Sequence, residues 1–382
     1  MFTNQRFADI SRMPKFDPSR PFNELPPLPP KSDIETRSIL KQCIEARSAL
    51  AELKQAGELI PNQDVLINTI PLREAKDSSA IENIVTTDDK LFHHAAMQEK
   101  DADPGTKETL RYRRALLEGY QKIRNRPLST GTAVTVCQTI RGIDLNVRNT
   151  FGTALKNSVT GKIIYTPPEG EQLLFKKLGN WETFLHEKTD IDPLIRMAVG
   201  HYQFEAIHPF TDDNGRTGRL LNILFLIGEH LLDIPVLYLS RYIIENKDDY
   251  YGLLQEVTEK KQWEPWILYM LAAVENTAKW TTAKIRTIKN LMEHTSSYTS
   301  TARPNVYTRE LIELTFTQPY CRIVHVVDAG IARRATASKY LKELCAIGVL
   351  KEITIGRDKV FIHPKFLNLL IREENEFPLY GS

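Results

Sequence analysis

The residues with the clearest chemical capability lie in one short segment, from His208 to Arg219, between two apolar stretches. A histidine can accept a proton near neutral pH, and a carboxylate such as Asp212 can hold a hard cation. The Asn214-Gly215 pair permits backbone angles that direct N–H groups inward, and arginines can clamp phosphates. A helix that begins near Asn214 would add unpaired amides and the positive end of its dipole. This combination indicates phosphate-transfer chemistry.

The string HPFTDDNGRTGR, which begins at His208, resembles the signature of the Fic family, HxFx[DE]GNGRxxR, at every fixed position except one. The resemblance implies a transferase that moves AMP from ATP to a protein hydroxyl, in a helical fold with a small β-hairpin flap. It implies that His208 is the general base and that Asp212 binds Mg²⁺. The residues that would contact the phosphates are Asn214 and Gly215, as an anion nest, with Arg216 and Arg219 on the β and γ phosphates.

Asp213 is the one departure, because the family pattern has glycine there. Aspartate adopts left-handed backbone angles more readily than most residues, so the loop geometry can be kept. Its negative charge would repel a triphosphate unless the side chain points away or joins Asp212 on the metal.

A predicted hairpin precedes this motif. Residues 156–168 combine a Thr-Gly turn signal with β-branched and aromatic residues, which predicts two short strands. The hairpin resembles the family's flap, which aligns the backbone of a target protein by strand addition. The flap residues would be Lys162, Ile163, Ile164 and Tyr165, and the residues that are similar to the family's adenine pocket are Tyr251 and Leu254.

Residues 78–83, SSAIEN, are similar to the family's inhibitory motif, [ST]xxxE[GN]. Ser78 and Glu82 are four residues apart and would share one helix face. We expect Glu82 to reach Arg219, because an arginine meant for a γ-phosphate offers the same planar fork to a carboxylate. Ser78 would help by hydrogen bonding near the Asn214 loop. The alternative is that Glu82 is an ordinary solvated helix residue.

Apolar periodicity predicts the helices that position these residues. Seven prolines between residues 14 and 30 predict an extended surface strap. Ser32 or Asp33 should cap the first helix, and a second helix should follow Pro71. Asp192-Pro193 predicts the start of a helix that runs toward His208. The apolar residues expected on the buried face of the first helix are Leu40, Cys43, Ile44, Leu50 and Leu53, and on the helix before His208 they are Ile195, Ala198, Val199 and Tyr202.

The last eighty residues follow a winged-helix pattern. Helices are expected over 323–331 and 335–346, and strands over 350–355 and 359–362. We therefore predict a mainly α fold: an N-terminal helical region with the strap and inhibitory motif (1–105), a Fic-type helical core with its hairpin flap (106–300), and a winged-helix domain (301–382).

Composition restricts the class of partner. The 382 residues carry 50 Lys+Arg against 48 Asp+Glu, a formal net charge of +2, so no global charge attracts nucleic acid or membranes. The four cysteines lie far apart, which predicts reduced thiols and no zinc site. The chain shows no secretory signal and no span of about 20 apolar residues, which favours a cytoplasmic protein without a membrane segment.

The expected function is a self-inhibited protein adenylyltransferase that uses ATP and Mg²⁺ and modifies a Tyr, Ser or Thr hydroxyl of a target protein. Self-modification and homodimer formation stay open. The alternative is a DNA-binding transcriptional regulator with a nucleotide-sensing, weakly active Fic domain. A hydrolase with a metal on His201, His208 and Asp212 is a third reading, although no further ligand completes the set. The side chains that would face DNA phosphates, or simply solvent, are Arg333, Arg334, Lys339 and Lys342.

Overall fold

The computed structural model describes residues 16–96, 101–157, 160–187, 190–317, 319–355 and 358–381. Most of the described chain is helical, as predicted. The helices before the C-terminal part are α1 (Arg37–Glu58), α2 (Asp64–Ile67), α3 (Ile70–Ile81), α4 (Asp88–Ala96), α5 (Pro104–Ile123), α6 (Thr130–Arg141), α7 (Glu171–His186), α8 (Pro193–Ile207), α9 (Asn214–Gly228), α10 (Leu239–Glu245), α11 (Lys247–Lys260) and α12 (Trp263–Ala302).

The first helix differs from its prediction in cap and face. Thr36, rather than Ser32 or Asp33, caps α1 by accepting a hydrogen bond from the Ile39 amide at 3.3 Å. The Asp33 carboxylate instead accepts from the Glu35 amide at 2.9 Å, so it forms a turn ahead of the helix. The buried side chains of α1 include Ile39, Cys43, Ala46, Leu50 and Leu53. Leu40 and Ile44, which were expected on the buried face, are exposed.

Helices α8 and α9 form the antiparallel pair at the centre of the core. The predicted start of α8 is confirmed, because the Asp192 carboxylate accepts from the Leu194 amide at 2.8 Å and Pro193 opens the helix. All four residues expected on its apolar face are buried. The helix ends at Ile207, and α9 begins at Asn214, so the sequence between them is a six-residue loop. Residues 220–227, from the most apolar stretch of the chain, are buried in α9.

The predicted hairpin forms next to the α8–α9 loop. Strand β1 (Leu155–Lys156) pairs antiparallel with β2 (Ile163–Tyr165). The Tyr165 hydroxyl donates to the Ala206 carbonyl of α8 at 2.7 Å, which fixes the hairpin near His208. The strap then covers the chain just beyond β2, since the Phe22 amide donates to the Thr166 carbonyl at 3.0 Å. Pro14, the first proline of the strap, lies outside the described residues.

The C-terminal part contains the predicted helices and strands together with elements that the sequence did not suggest. Strand β5 lies between the other two strands of an antiparallel sheet, in the order β3-β5-β4. The predicted turn residues Gly356 and Arg357 lie outside the described residues. The elements are α13 (Arg309–Thr317), β3 (Tyr320–Arg322), α14 (Ile323–Asp328), α15 (Arg334–Ala346), β4 (Lys351–Ile355), β5 (Asp358–Ile362) and α16 (Pro364–Ile371), of which α13, β3 and α16 were not predicted.

The thiols and the helix lengths of the described residues can be stated directly. The four cysteines are free thiols, with Cys43, Cys137 and Cys321 buried and Cys345 half-buried. None of the described helices combines the length and apolar character that a membrane span needs.

The C-terminal part is joined to the helical core through buried cations. Lys284 of α12 is fully buried and donates to the carbonyls of Leu369, Arg372 and Glu374 at 2.9, 2.9 and 3.2 Å. Arg73 of α3 donates to the Ile371 carbonyl at 2.8 Å. These carbonyls belong to the end of α16 and to the residues just after it, where no intrahelical donors remain. The helix that carries Ser78 is therefore linked directly to the C-terminal part.

We predict that Lys284→Met destabilises the docked end of α16. The substitution keeps an apolar stem but leaves three carbonyls without their shared donor, at a cost of roughly 1–3 kcal/mol. Lys279→Met is the matched control, because Lys279 lies on the same helix but is exposed and contacts only Glu275 among carboxylates. The measurements are the thermal midpoint and protease cleavage after residue 370. Equal behaviour of the two variants would contradict the prediction.

Candidate functional site

The loop between α8 and α9 is held in shape by its own side chains. Asn214 clamps the backbone of Phe210: its Oδ1 accepts from the Phe210 amide at 2.8 Å and its Nδ2 donates to the Phe210 carbonyl at 2.9 Å. The Phe210 ring is buried. His208 and Asp213 both adopt left-handed backbone angles, with φ of 51° and 65°. Such angles are uncommon outside glycine and cluster at functional sites.

His208 is positioned by Arg148, which the sequence analysis did not single out. The Arg148 guanidinium is buried and donates from Nε to the His208 carbonyl at 2.8 Å and from Nη2 to the Pro168 carbonyl at 2.5 Å. Burial, together with the positive charge of Arg148, lowers the pKa of His208 to about 4. The imidazole is therefore neutral at physiological pH and has a nitrogen lone pair with which to accept a proton.

The two neighbouring aspartates have different surroundings. The Asp212 carboxylate is exposed at the rim and accepts from Arg141 Nη1 at 2.5 Å. The Asp213 carboxylate is buried and pairs with Arg216 and Arg141. Burial raises the pKa of Asp213, against the opposing charge of Arg216. The second aspartate is thus directed toward cations, which is one of the two arrangements considered from the sequence.

Arg216 was expected to face a phosphate, but its guanidinium is already paired with carboxylates of the protein. Its guanidinium is buried, donates from Nε to Asp213 Oδ1 at 2.6 Å and pairs through Nη2 with Glu108 Oε1 at 2.5 Å. Its Nη1 is buried without a hydrogen-bond partner. The two carboxylates neutralise this arginine locally, and only one of its nitrogens is left for a further acceptor.

Arg219 of α9 contacts both Ser78 and Glu82 of the 78–83 motif. Its Nη2 donates to Glu82 Oε1 at 2.9 Å, so the expected contact is present. Ser78 does not reach the Asn214 loop; its hydroxyl accepts from Arg219 Nε at 3.0 Å, and its carbonyl accepts from Nη2 at 2.9 Å. Burial disfavours the charged guanidinium, yet the Glu82 carboxylate raises the pKa of Arg219 above its ordinary value. The end of α3 and its C-cap thereby supply acceptors to both Nε and Nη2 of the arginine.

The Glu82 carboxylate lies at the start of α9. A Cβ built on Gly215 would overlap Glu82 Oε1 and would approach Arg219 Nη1 to 3.0 Å. Only glycine at this position lets the carboxylate lie against the first turn, where unpaired amides and the helix dipole favour a negative charge. A side-chain anion thus takes the place that the sequence analysis assigned to phosphate.

The far wall of the site comes from α8 and α11. Tyr251 is 42% exposed, so the protein covers more than half of this residue, and Leu254 is half-buried against the core. The buried tyrosine is Tyr250, whose hydroxyl lies 2.7 Å from His201 Nε2. His201 therefore serves the core, and within the described ranges no group of three or more His, Cys, Asp or Glu side chains could hold a metal. The reading of His201 and His208 as paired metal ligands is wrong.

The flap residues occupy the edge of the site. Lys162 precedes β2 and is exposed, Ile163 is half-buried, and the Ile164 side chain is exposed. Tyr165 packs against Phe16 and Phe22 of the strap, with ring centroids 6.2 and 6.3 Å away. No local sequence pattern indicates the contact between Tyr165 and the strap, because the partners are more than 140 residues apart.

Comparisons with known proteins give a consistent family. Three family models match: the Fic/DOC family N-terminal region over residues 40–121, the Fic/DOC family over 108–226, and the C-terminal domain of SoFic-like protein adenylyltransferase over 291–366. Between them, the first two matches include Ser78, Glu82 and the whole segment from His208 to Arg219.

Individual relatives match over shorter segments. The chain is 32% identical over 108 residues to protein adenylyltransferase fic-1 of Caenorhabditis briggsae, covering 28% of this chain and 20% of that protein. It is 34% identical over 93 residues to a probable protein adenylyltransferase of Aquifex aeolicus (strain VF5), covering 24% and 26%. The chain thus spans about a fifth to a quarter of the length of these relatives. A Fic family protein from Desulfovibrio desulfuricans G20 shares the fold, with a TM-score of 0.55, 19% identity, and coverage of 88% and 98%.

We predict that the His208 ring stays neutral well below the usual range of histidine. With a pKa of about 4, roughly 3% of the rings carry a proton at pH 5.5, against about 90% for an unperturbed histidine. Ring ¹⁵N chemical shifts measure this fraction, and His208→Ala assigns the signal by its loss. A titration midpoint near 6.5 would contradict the environment described for His208.

Proposed function

Since the chain belongs to the Fic/DOC family, we propose that it is a protein adenylyltransferase that transfers AMP from ATP to a Tyr, Ser or Thr hydroxyl of a target protein. The observation that carries the proposal is the arrangement around the α8–α9 loop. A neutral histidine, the first turn of a helix and the buried Arg219 converge there. A base and an anion site side by side are what the attack of a hydroxyl on a nucleotide phosphate requires.

In the proposed reaction, His208 accepts the proton of the target hydroxyl as its oxygen attacks the α-phosphorus. The bond from that phosphorus to the oxygen bridging the β-phosphorus breaks, and pyrophosphate leaves. Asn214 fixes the loop so that the first amides of α9 face the phosphates. Arg219 binds the γ-phosphate, and Arg216 uses its unpartnered Nη1 on the β-phosphate. Tyr251 and Leu254 contact the adenine.

Asp212 fits a role in magnesium binding. Mg²⁺ at nucleotide sites is commonly held by one or two carboxylates together with substrate phosphates. Asp212 offers one exposed carboxylate at the rim, whereas Asp213 is turned inward to its arginines. When bound, Mg²⁺ supplies positive charge to the leaving pyrophosphate. Arg141 neutralises Asp212 meanwhile and would release it as the nucleotide enters.

The flap is proposed to hold the target backbone. Among the described residues β2 pairs only with β1, so its other edge carries no partner strand. An extended target segment can add to that edge. The strap already bonds Thr166 beyond the strand, which confines the docking edge to the residues before it.

Glu82 is proposed to inhibit the enzyme. Its carboxylate takes Arg219 and lies at the start of α9, so a γ-phosphate cannot bind the same guanidinium at the same time. The closed and productive states compete for one side chain. Each 1.4 kcal/mol in favour of the closed state lowers the competent population about tenfold.

A second candidate function rests on the C-terminal part. Its described elements follow the order of the predicted winged helix, and four cations near or on α15 are exposed: Arg333, Arg334, Lys339 and Lys342. A gel shift with mixed DNA, repeated at several salt concentrations, discriminates this regulator from an enzyme whose C-terminal part binds protein.

We predict that His208→Ala lowers AMP transfer by ~10² to 10⁴-fold, because no other base in the described loop can replace it. The readout is mass spectrometry of the chain and of added target after incubation with ATP and Mg²⁺. The control is His230→Asn, an exposed histidine after α9 with φ of 58°, since asparagine tolerates that angle. Undiminished transfer by His208→Ala would remove it as the general base.

Glu82→Ala should raise transfer at least tenfold at equal ATP, because it frees Arg219 for the γ-phosphate. Glu58→Ala is the control, since Glu58 is an exposed glutamate at the end of α1. Initial rates and ATP affinity are measured together. Unchanged rates with unchanged ATP affinity would leave Glu82 without an inhibitory role.

A further inference from the structure

Glu205 is a half-buried acidic residue that neither the sequence analysis nor the proposed reaction uses. It lies on α8, three residues before His208, and its Oε1 is buried without a hydrogen-bond partner. That oxygen packs against α9, since a Cβ built on Gly218 would lie 2.5 Å from it. The residue therefore sits between the two helices that form the catalytic loop.

Its electrostatic neighbours place Glu205 beside the candidate nucleotide site. Burial raises the pKa of Glu205 to about 7, while the Arg219 charge opposes and the Glu82 charge reinforces that change. On the other side, burial raises the pKa of Tyr251, and the charges of Glu82 and Glu205 contribute to it. Glu205 thus lies within electrostatic reach of both Arg219 and Tyr251, which are proposed for opposite ends of the nucleotide.

A buried carboxylate oxygen without a hydrogen-bond partner lowers the free energy of unfolding. Buried polar groups are nearly always hydrogen-bonded, and leaving one unsatisfied disfavours the folded state. The core offers Glu205 Oε1 no such bond, although a leucine of similar size would fill the same volume without that cost. A group that opposes folding in this way points to a ligand that completes its hydrogen bonds.

We propose that Glu205 accepts a hydrogen bond from a ribose hydroxyl of the bound nucleotide and so determines specificity for ribonucleotides. The inference rests on the proposed nucleotide binding. The sugar is the part of ATP between phosphates and base, and Glu205 interacts electrostatically with Arg219 and Tyr251, which are proposed for those two ends. A carboxylate repels phosphate but is a strong acceptor for sugar hydroxyls.

The test measures equilibrium binding in the full chain carrying Glu82→Ala and His208→Ala, which opens the site and prevents turnover. Calorimetry gives Kd for ATP, 2′-deoxy-ATP, 3′-deoxy-ATP and purine riboside triphosphate, which lacks the exocyclic amine. Each is measured with Glu205, Glu205→Gln and Glu205→Leu. With Glu205 present, we expect at least one deoxy analogue to bind roughly tenfold or more weakly than ATP, the range for a hydrogen bond to a charged acceptor.

Glu205→Leu should bind ATP more weakly by the same factor and should no longer distinguish ATP from the deoxy analogue. Glu205→Gln keeps an acceptor oxygen and should retain part of the difference in Kd between the two nucleotides. Without nucleotide, Glu205→Leu should melt at the same temperature or higher, because no hydrogen bond is lost.

The proposal is overturned if Glu205→Leu still binds ATP more tightly than the deoxy analogue. It is also overturned if the substitution removes the preference for ATP over purine riboside triphosphate, which lacks the amine, and not the preference for ATP over the deoxy analogues. A lower melting temperature with unchanged discrimination would make Glu205 a purely structural residue. Failure of ATP to bind even with Glu205 intact would refute the proposed function rather than this inference.

Discussion

The buried guanidinium of Arg219 is the constraint on which the site depends. A charged group in the interior must be paired, and here Glu82 and Ser78 satisfy it from one short helix. The positive charge of Arg219 is also what a γ-phosphate would need. Without a phosphate, the protein holds Arg219 in place by pairing it with the Glu82 carboxylate. The inhibition proposed for Glu82 would therefore follow from the stability of the nucleotide-free site, because a buried Arg219 requires an anionic partner when no nucleotide is bound.

The same reasoning extends to the other arginines of the loop. Arg141 pairs with Asp212 and Asp213, and Arg216 pairs with Asp213 and Glu108. Asp213, which departs from the family glycine, thereby adds a second carboxylate partner to each of these two arginines. Its left-handed backbone angle is the one that glycine would adopt most readily. The extra negative charge is consequently paired with Arg141 and Arg216.

Local features of the site were predictable, and contacts between distant residues were not. The α8 cap, the start of α9 and the hairpin follow from neighbouring residues, and the contact between Glu82 and Arg219 followed from a resemblance. Arg148, Glu108 and Glu205 gave no signal, since each acts through a partner that only the fold brings near. The cap of α1 was misplaced because Ser32, Asp33 and Thr36 are all good caps, and only the Asp33 turn decides between them.

The helix that carries the inhibitory motif is not free to move alone. Arg73, five residues before Ser78, is buried and donates to the Ile371 carbonyl at the end of α16, and it also contacts Asp88 and Tyr238. Glu373 follows α16 and is held by Arg241 and Trp280. Withdrawal of Glu82 by rotation of the whole helix would strain these contacts. Local rearrangement at the end of α3 avoids that strain, because Glu82 is already its C-cap and Asn83 has left the helix with φ of 63°.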